Sequence, residues 1–385
     1  MAEGTLGETR ARLTAANSRP VAVAVLREVM SRAPLFEGPA VPVVVQFELR
    51  SPAGDLHYQF VVGGGEPALA ENPAPGAPVV IRQELGELLR AVYGARGAHD
   101  ATRDVWIMNE PGPESDAADD PWLAALRAAT LAAGQIVAAC SAADLDLGAL
   151  ARRFGCDKWG DHFYTPRYDH HFASRRDQRL KLLEIGVGGF ESPTAGGESL
   201  RMWKHYFRRG FVYGLDLFDK SALDEPRIQT VQGDQSDPAR LNQLAHELGP
   251  FDIVIDDGSH ISAHVVTSFK ALFPALVDGG LYAIEDLQTA YWPGWNGGAA
   301  DPGEPSTTTG FLKTLLDGLH YQDQLPPPTV EANGLARQIR AVHLYRNLAI
   351  IEKGSNDGQT APSWVRRQQN DMDLAPKGSM RRPGA

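Results

Sequence analysis

A chain of 385 residues is longer than one ordinary hydrophobic core holds, which points to two domains, one of them large enough for a cofactor crevice. Its 37 Lys and Arg against 48 Asp and Glu give a net charge of -11, which argues against a surface built to grip phosphate backbones and so against a nucleic-acid partner. Cys140 and Cys156 alone cannot make a disulfide framework or a Cys-rich zinc site; with no signal-type start and no membrane-length apolar run, the expectation is a cytoplasmic protein with no membrane partner.

Along the chain, VPVVVQFEL, HYQFVV and PVVIRQ are rich in β-branched and aromatic residues and read as strands, separated by a Gly- and Pro-rich stretch at 63–77. QELGELLRAVYG puts Leu85, Leu88, Leu89 and Val92 on one helical face, 104–108 reads as a further short strand, and 121–140 as an apolar helix after the connection NEPGPESDAADDP. These pieces predict a small α+β module over 1–143. From Asp144 to Gly354 the runs KLLEIGV, FVYGLDLF, IQTVQGD, FDIVIDD and GLYAIED alternate with helical patterns, the βαβ rhythm of a parallel sheet covered on both faces. RAVHLYRNLAIIEKG predicts two strands turning at Arg346-Asn347 as an antiparallel edge, and the polar, Pro-containing tail 355–385 is expected to be disordered.

LLEIGVGG places an apolar strand before a glycine loop, where Gly186 and Gly188 allow a tight turn and close backbone approach to a nucleoside-type cofactor. A dinucleotide fold wants G-x-G-x-x-G, but Glu191 stands at the third position; Glu184 instead points to the E-x-G-x-G loop of class I methyltransferases. GFVYGLDLFD then ends at Asp216, thirty residues after Gly186, where a carboxylate can accept ribose hydroxyls. One strand later, Asp234 or Gln235 is positioned to bond an adenine amino group.

FDIVIDDGSHISAH brings Asp256 and Asp257 to a strand end with His260 in the following loop, and GGLYAIEDLQTAYWP brings Glu285 and Asp286 to the next. Strand carboxyl ends line the ligand crevice of an open α/β sheet, so these acids should converge. Clustered carboxylates repel unless a cation compensates them, and hard oxygen donors without Cys favour magnesium or manganese over zinc. A hydroxyl becomes a good nucleophile only on losing its proton, which His260 is placed to take. Asp256 is grouped with the cofactor-binding residues. Asp161, His162, Asp169, His170 and His171 show no i, i+4 ligand pair of a known metal site, and Tyr291 and Trp292 could stack on a sugar or pack under a loop.

In order, GCDKWGDHFYTPRYDHHF, LLEIGVGG, GLDLFD, IDDGSH and AIEDLQTAYW resemble the actinomycete deoxysugar O-methyltransferases, the mycinamicin VI 2''-O-methyltransferase family, over about 156–354. The resemblance implies a Rossmann-like class I S-adenosylmethionine-dependent methyltransferase sheet with a smaller N-terminal α+β auxiliary domain. It implies S-adenosyl-L-methionine and Mg2+ as cofactors, and a sugar hydroxyl, rhamnose-type for example, on a glycosylated polyketide or macrolide as acceptor. It also implies a homo-oligomer, of which a homotetramer is the family's form. By motif position it assigns the metal to Asp257, Glu285 and Asp286 and the base to His260, and it reads DKWGDHFYTPRYDHHF as a lid in which Tyr164 touches the cofactor. The same residues would serve methylation of a phenolic or polyketide hydroxyl of the aglycone. A non-catalytic cofactor-binding protein is a third reading, against which the intact His260 and its three acids weigh.

Overall fold

The computed structural model describes residues 1–2, 4–33, 39, 41–63, 68–71, 76–94, 102–107, 121–140, 146–159, 162–324 and 334–357. The chain gathers into two compact units, Met1–Gly233 and Asp234–Ala385.

The first unit opens with two helices that sequence periodicity did not single out, α1 (Leu6–Arg12) and α2 (Ala15–Arg32). Each starts in a capping box: the Thr5 hydroxyl accepts the Glu8 N–H while the Glu8 carboxylate accepts the Thr5 N–H, and Thr14 with Asn17 repeats the arrangement. Next come β1 (Val43–Ser51), β2 (Gly54–Val62), β3 (Ala70–Glu71), β4 (Val79–Glu84), α3 (Leu85–Tyr93), β5 (Asp104–Ile107) and α4 (Pro121–Ala139). The strands form one mixed sheet in the order β3-β2-β1-β4-β5, in which only the β1–β4 pair is parallel. Leu85, Leu88, Leu89 and Val92 of α3 join β1, β4 and α4 in a single core that runs from Ala2 to Cys140. The boundary expected at 143–144 and the connection at 109–120 lie outside the described residues.

This module is tied to the rest of its unit by buried charge. Glu28 of α2 is 0% exposed, and its carboxylate accepts from Arg32 Nε at 2.9 Å and from Arg227 Nη2 at 2.5 Å. Burial alone would raise the Glu28 pKa, but the guanidiniums of Arg227 and Arg32 overcome it and hold the carboxyl well below the usual carboxylate range. Lys204, also buried, donates to Ser31 Oγ at 2.6 Å and to Glu225 at 3.2 Å. Then follow α5 (Leu147–Phe154), α6 (Thr165–Phe172), β6 (Lys181–Ile185), α7 (Glu198–Tyr206), β7 (Phe211–Asp216) and β8 (Ile228–Gln232), the three strands pairing in parallel in chain order. Gly214 lets α7 press on β7, because a Cβ there would lie 2.8 Å from both Leu200 and Val187 side chains.

The second unit holds α8 (Pro238–Leu248), β9 (Phe251–Asp256), α9 (Ser262–Leu272), β10 (Leu276–Ile284), α10 (Thr308–Leu319), β11 (Ile339–Tyr345) and β12 (Leu348–Lys353). β9 and β10 are parallel, β12 runs antiparallel to β10, and β11 antiparallel to β12. The edge hairpin turns where the sequence places it, with Asn347 at φ 63. Ile253, Val254, Ile255, Tyr282, Ala283 and Ile284 are fully buried, as expected of strands covered on both faces. The start of the tail is packed: Tyr321 donates to Asp357 at 3.0 Å and the Asn356 N–H to the Arg337 carbonyl at 2.9 Å. The remainder of the expected disordered tail, 358–385, lies outside the described residues. Among the described residues no helix is long and apolar enough to cross a membrane.

Candidate active site

In the first unit the end of β6 turns through Gly186 at φ 91 and Gly188 at φ 78, left-handed conformations that an L side chain resists. Lys220, buried, gathers the loop by donating to the carbonyls of Phe190 and Ser192 at 2.7 Å and Ala195 at 3.2 Å. Asp216 closes β7, its two carboxylate oxygens accepting the Val187 N–H at 2.9 Å and the Phe218 N–H at 3.0 Å. Each oxygen keeps a second lone pair for a hydroxyl. Glu184 is wholly buried: Lys158 lies 3.3 Å away and the Ser199 hydroxyl donates to it at 2.8 Å, so it braces β6 against α7.

The segment read as a lid is in part core. Tyr164 precedes α6 and is buried, its ring stacked on His162 at 4.8 Å; Tyr168 and Phe172 pack on Trp203. Asp169 accepts from the Tyr206 hydroxyl at 2.7 Å. Among the described residues this segment forms no group able to hold a metal, and Asp161 lies outside them.

In the second unit β9 and β10 end level: Asp256 pairs with Ile284, and the Glu285 N–H donates to the Asp256 carbonyl at 3.0 Å. This register brings ligand atoms of Asp257, His260 and Asp286 within 4.8 Å of one another, and those of Asp257 and Glu285 within the same distance. His260 Nε2 lies 3.5 Å from Asp286 Oδ2. His260 and Asp286 both stand at positive φ, 56° and 52°, a cost of order 1–3 kcal/mol each that the surroundings must hold in place. Thr289 does so: its hydroxyl lies 3.1 Å from the His260 carbonyl and 2.8 Å from that of Asp286. Gln288 donates to Asp286 Oδ1 at 3.1 Å. The carboxylates at this spacing repel one another as they stand, and together with the imidazole they fit a hard divalent cation.

Beneath this group Gln235 turns inward. Its amide donates to Asp256 at 2.7 Å and to Ser268 at 3.1 Å, and its carbonyl accepts the Ser259 N–H at 2.8 Å. Burial pushes the Asp256 carboxyl up to about 7 despite the bonds from Gln235 and Ser268. Asp234 stays at the surface, its carboxylate accepting the Ser236 N–H and hydroxyl at 2.7 Å, which hold its pKa below the usual range. Sequence reasoning passed over Lys158, Lys220 and Thr289, whose roles depend on non-local contacts. Trp295 was passed over too, although YWPGW shows a third aromatic beside Tyr291 and Trp292.

A glycine loop and a carboxylate at the next strand end in the first unit, and a metal-capable group of acids with a histidine in the second, are the elements of a class I S-adenosylmethionine-dependent O-methyltransferase. Residues 1–103 match the family described as MycE methyltransferase N-terminal. The chain is 43% identical over 364 residues to demethylmacrocin O-methyltransferase of Streptomyces fradiae, covering 93% of this chain and 90% of that one. It is 49% identical over 296 residues to 8-demethyl-8-alpha-L-rhamnosyl tetracenomycin-C 2'-O-methyltransferase of Streptomyces olivaceus, covering 76% of this chain and 75% of the relative. The structure of the MycE methyltransferase from the mycinamycin biosynthetic pathway, in complex with Mg, SAH and mycinamycin VI, superposes with a TM-score of 0.82 at 38% identity over 97% of this chain and 96% of that one. The chain belongs to the actinomycete deoxysugar O-methyltransferase family that includes MycE.

Proposed function

We propose that this protein transfers the methyl group of S-adenosyl-L-methionine to a deoxysugar hydroxyl on a glycosylated polyketide, with a divalent cation, magnesium, at the reacting centre. The observation that carries the reading is the Asp257, His260 and Asp286 group at the level ends of β9 and β10. The relatives support the acceptor class, since one is named for a rhamnosyl tetracenomycin and MycE is seen with mycinamycin VI.

In this reading Gly186 and Gly188 let the backbone approach the nucleoside, Asp216 accepts the ribose hydroxyls and Asp234 faces the adenine amino group. Glu184 supports the loop from behind, Tyr164 is its aromatic neighbour, and in the second unit Asp256 with Gln235 braces the loop that carries His260. Asp257, Glu285 and Asp286 would hold the cation, which would supply positive charge to ease ionisation of the acceptor hydroxyl. His260 Nε2 takes the hydroxyl proton as the oxygen attacks the methyl carbon and the carbon–sulfur bond breaks. The Asp286 carboxylate, 3.5 Å away, stabilises the imidazolium that results. Functionally the chain divides into an auxiliary module over 1–143 and a catalytic domain over 144–354. Cys140 and Cys156 are buried thiols that form no disulfide, which suits a reducing cytoplasm.

The test is a panel of rhamnosylated polyketides and their aglycones incubated with protein, cofactor and magnesium, with products read by mass spectrometry. Methylation confined to the sugar of the glycosides is expected. Methylation of aglycones alone would overturn the acceptor assignment.

A further inference from the structure

Tyr291, Trp292 and Trp295 stand out on the second unit because three large aromatic side chains within five residues remain open to solvent, at 59%, 48% and 42% exposure. Leaving that much apolar surface in water is unfavourable, and it is usually retained because a partner or a ligand covers it. The two indoles meet edge to face, with centroids 5.9 Å apart and planes at 81°, so they form a corner rather than a flat shelf.

The backbone under the corner is fixed to the reacting residues. The Trp292 N–H donates to the Thr289 carbonyl at 3.0 Å, and Thr289 is the residue whose hydroxyl reaches the carbonyls of His260 and Asp286. The Trp292 carbonyl accepts the N–H groups of Trp295 and Asn296, both at 3.2 Å. The Trp295 carbonyl accepts the Ser262 N–H at 2.8 Å, at the first turn of α9 and two residues from His260. The Ser262 hydroxyl in turn accepts the Thr308 N–H at 3.1 Å, where α10 begins. The aromatic corner therefore keeps a set distance from the base, and little ordering is left to be done when a ligand arrives.

We propose that Tyr291, Trp292 and Trp295 form the seat for the apolar aglycone of the acceptor glycoside. The inference rests on the sugar methyltransferase reading given above. His260 and the acids deal with the polar hydroxyls of the sugar, so the part of the acceptor left to cover exposed indoles is its carbon skeleton. Rigid, amphipathic Trp and Tyr side chains are the residue types that carry most of the binding energy when covered.

The experiment compares Trp292→Ala, Trp295→Ala and the double variant with wild type, using a macrolide or polycyclic rhamnoside against methyl rhamnoside. The preference for the polyketide glycoside, as the ratio of kcat/KM values, should fall by about 10- to 100-fold in the double variant, mainly through KM. S-adenosylhomocysteine affinity by calorimetry should stay within about threefold, because the corner lies on acceptor-side residues. Quenching of tryptophan fluorescence by the polyketide glycoside in the presence of S-adenosylhomocysteine should be strong in wild type and largely lost in the double variant. An unchanged preference would overturn the proposal, as would an altered mass in light scattering, which would make the corner an interface between copies. Absence of sugar methylation by wild-type protein on every glycoside would instead refute the underlying reading, so the two failures are distinct.

Discussion

Asp216→Ala probes the cofactor site, with folding followed alongside because the same carboxylate holds the glycine loop. The carboxylate accepts two backbone N–H groups, from Val187 at 2.9 Å and Phe218 at 3.0 Å, and in the proposed complex each oxygen also accepts a ribose hydroxyl. A hydrogen bond to a charged group contributes about 1.5–3 kcal/mol. Loss of the two ribose bonds should thus weaken cofactor binding by about 3–6 kcal/mol, or roughly 10²- to 10⁴-fold in Kd. Asp216→Asn keeps one acceptor oxygen, so it should lose about half of that free energy, roughly 10- to 100-fold. Calorimetric titration with S-adenosylhomocysteine measures both, with circular dichroism and thermal unfolding run beside it. A folded Asp216→Ala protein with wild-type affinity would remove Asp216 from the cofactor site.

Glu28 has a folded pKa below its ordinary value of 4.5, so its contribution to stability is fully present above that value and is lost as pH falls through the folded pKa. Urea unfolding at pH 7 should find Glu28→Gln about 3–5 kcal/mol less stable than wild type, with the gap narrowing in acid; equal stability at pH 7 would contradict the buried network. Gln235→Leu should lower kcat by about 10- to 100-fold through the displaced His260 loop while S-adenosylhomocysteine affinity holds within about threefold. The reverse pattern would place the Gln235 amide at the adenine. Light scattering should give the mass of a homo-oligomer, four chains in the simplest case, and a monomer at micromolar concentration would defeat that expectation.

What could be read from the sequence was what depends on period and chain order. The apolar runs ending in Asp216, Asp256 and Ile284 read as strands because they are short, rich in Val, Ile and aromatic residues and bounded by Gly and Asp, and their ends place the acids. The antiparallel edge followed from a two-residue polar break between apolar runs. Helices α1 and α2 went unread, although Thr5 with Glu8 and Thr14 with Asn17 carry capping signatures and Ala22, Val25, Leu26, Val29 and Met30 share one face of α2, because Pro20 and the apolar Val21 and Val23 flanking that face blur the period. The inward turn of Gln235 could not be read, since at a strand end an amide looks alike whether it faces a ligand or a buried Asp256. Lys158 and Lys220 were illegible for a related reason: a lysine reads as a surface residue until the fold brings Glu184, or three loop carbonyls, within its reach.

The central claim is that Asp257, Glu285 and Asp286 hold a divalent cation beside which His260 takes the acceptor proton. It is tested most directly by following methyl transfer from labelled S-adenosylmethionine to a rhamnosylated polyketide in EDTA and then in excess magnesium, for wild type and His260→Ala. Turnover should vanish in EDTA and return with magnesium, and His260→Ala should be slower by about 10²- to 10⁴-fold at undiminished cofactor affinity. Full activity in excess EDTA, or a His260→Ala protein as fast as wild type, would contradict the account.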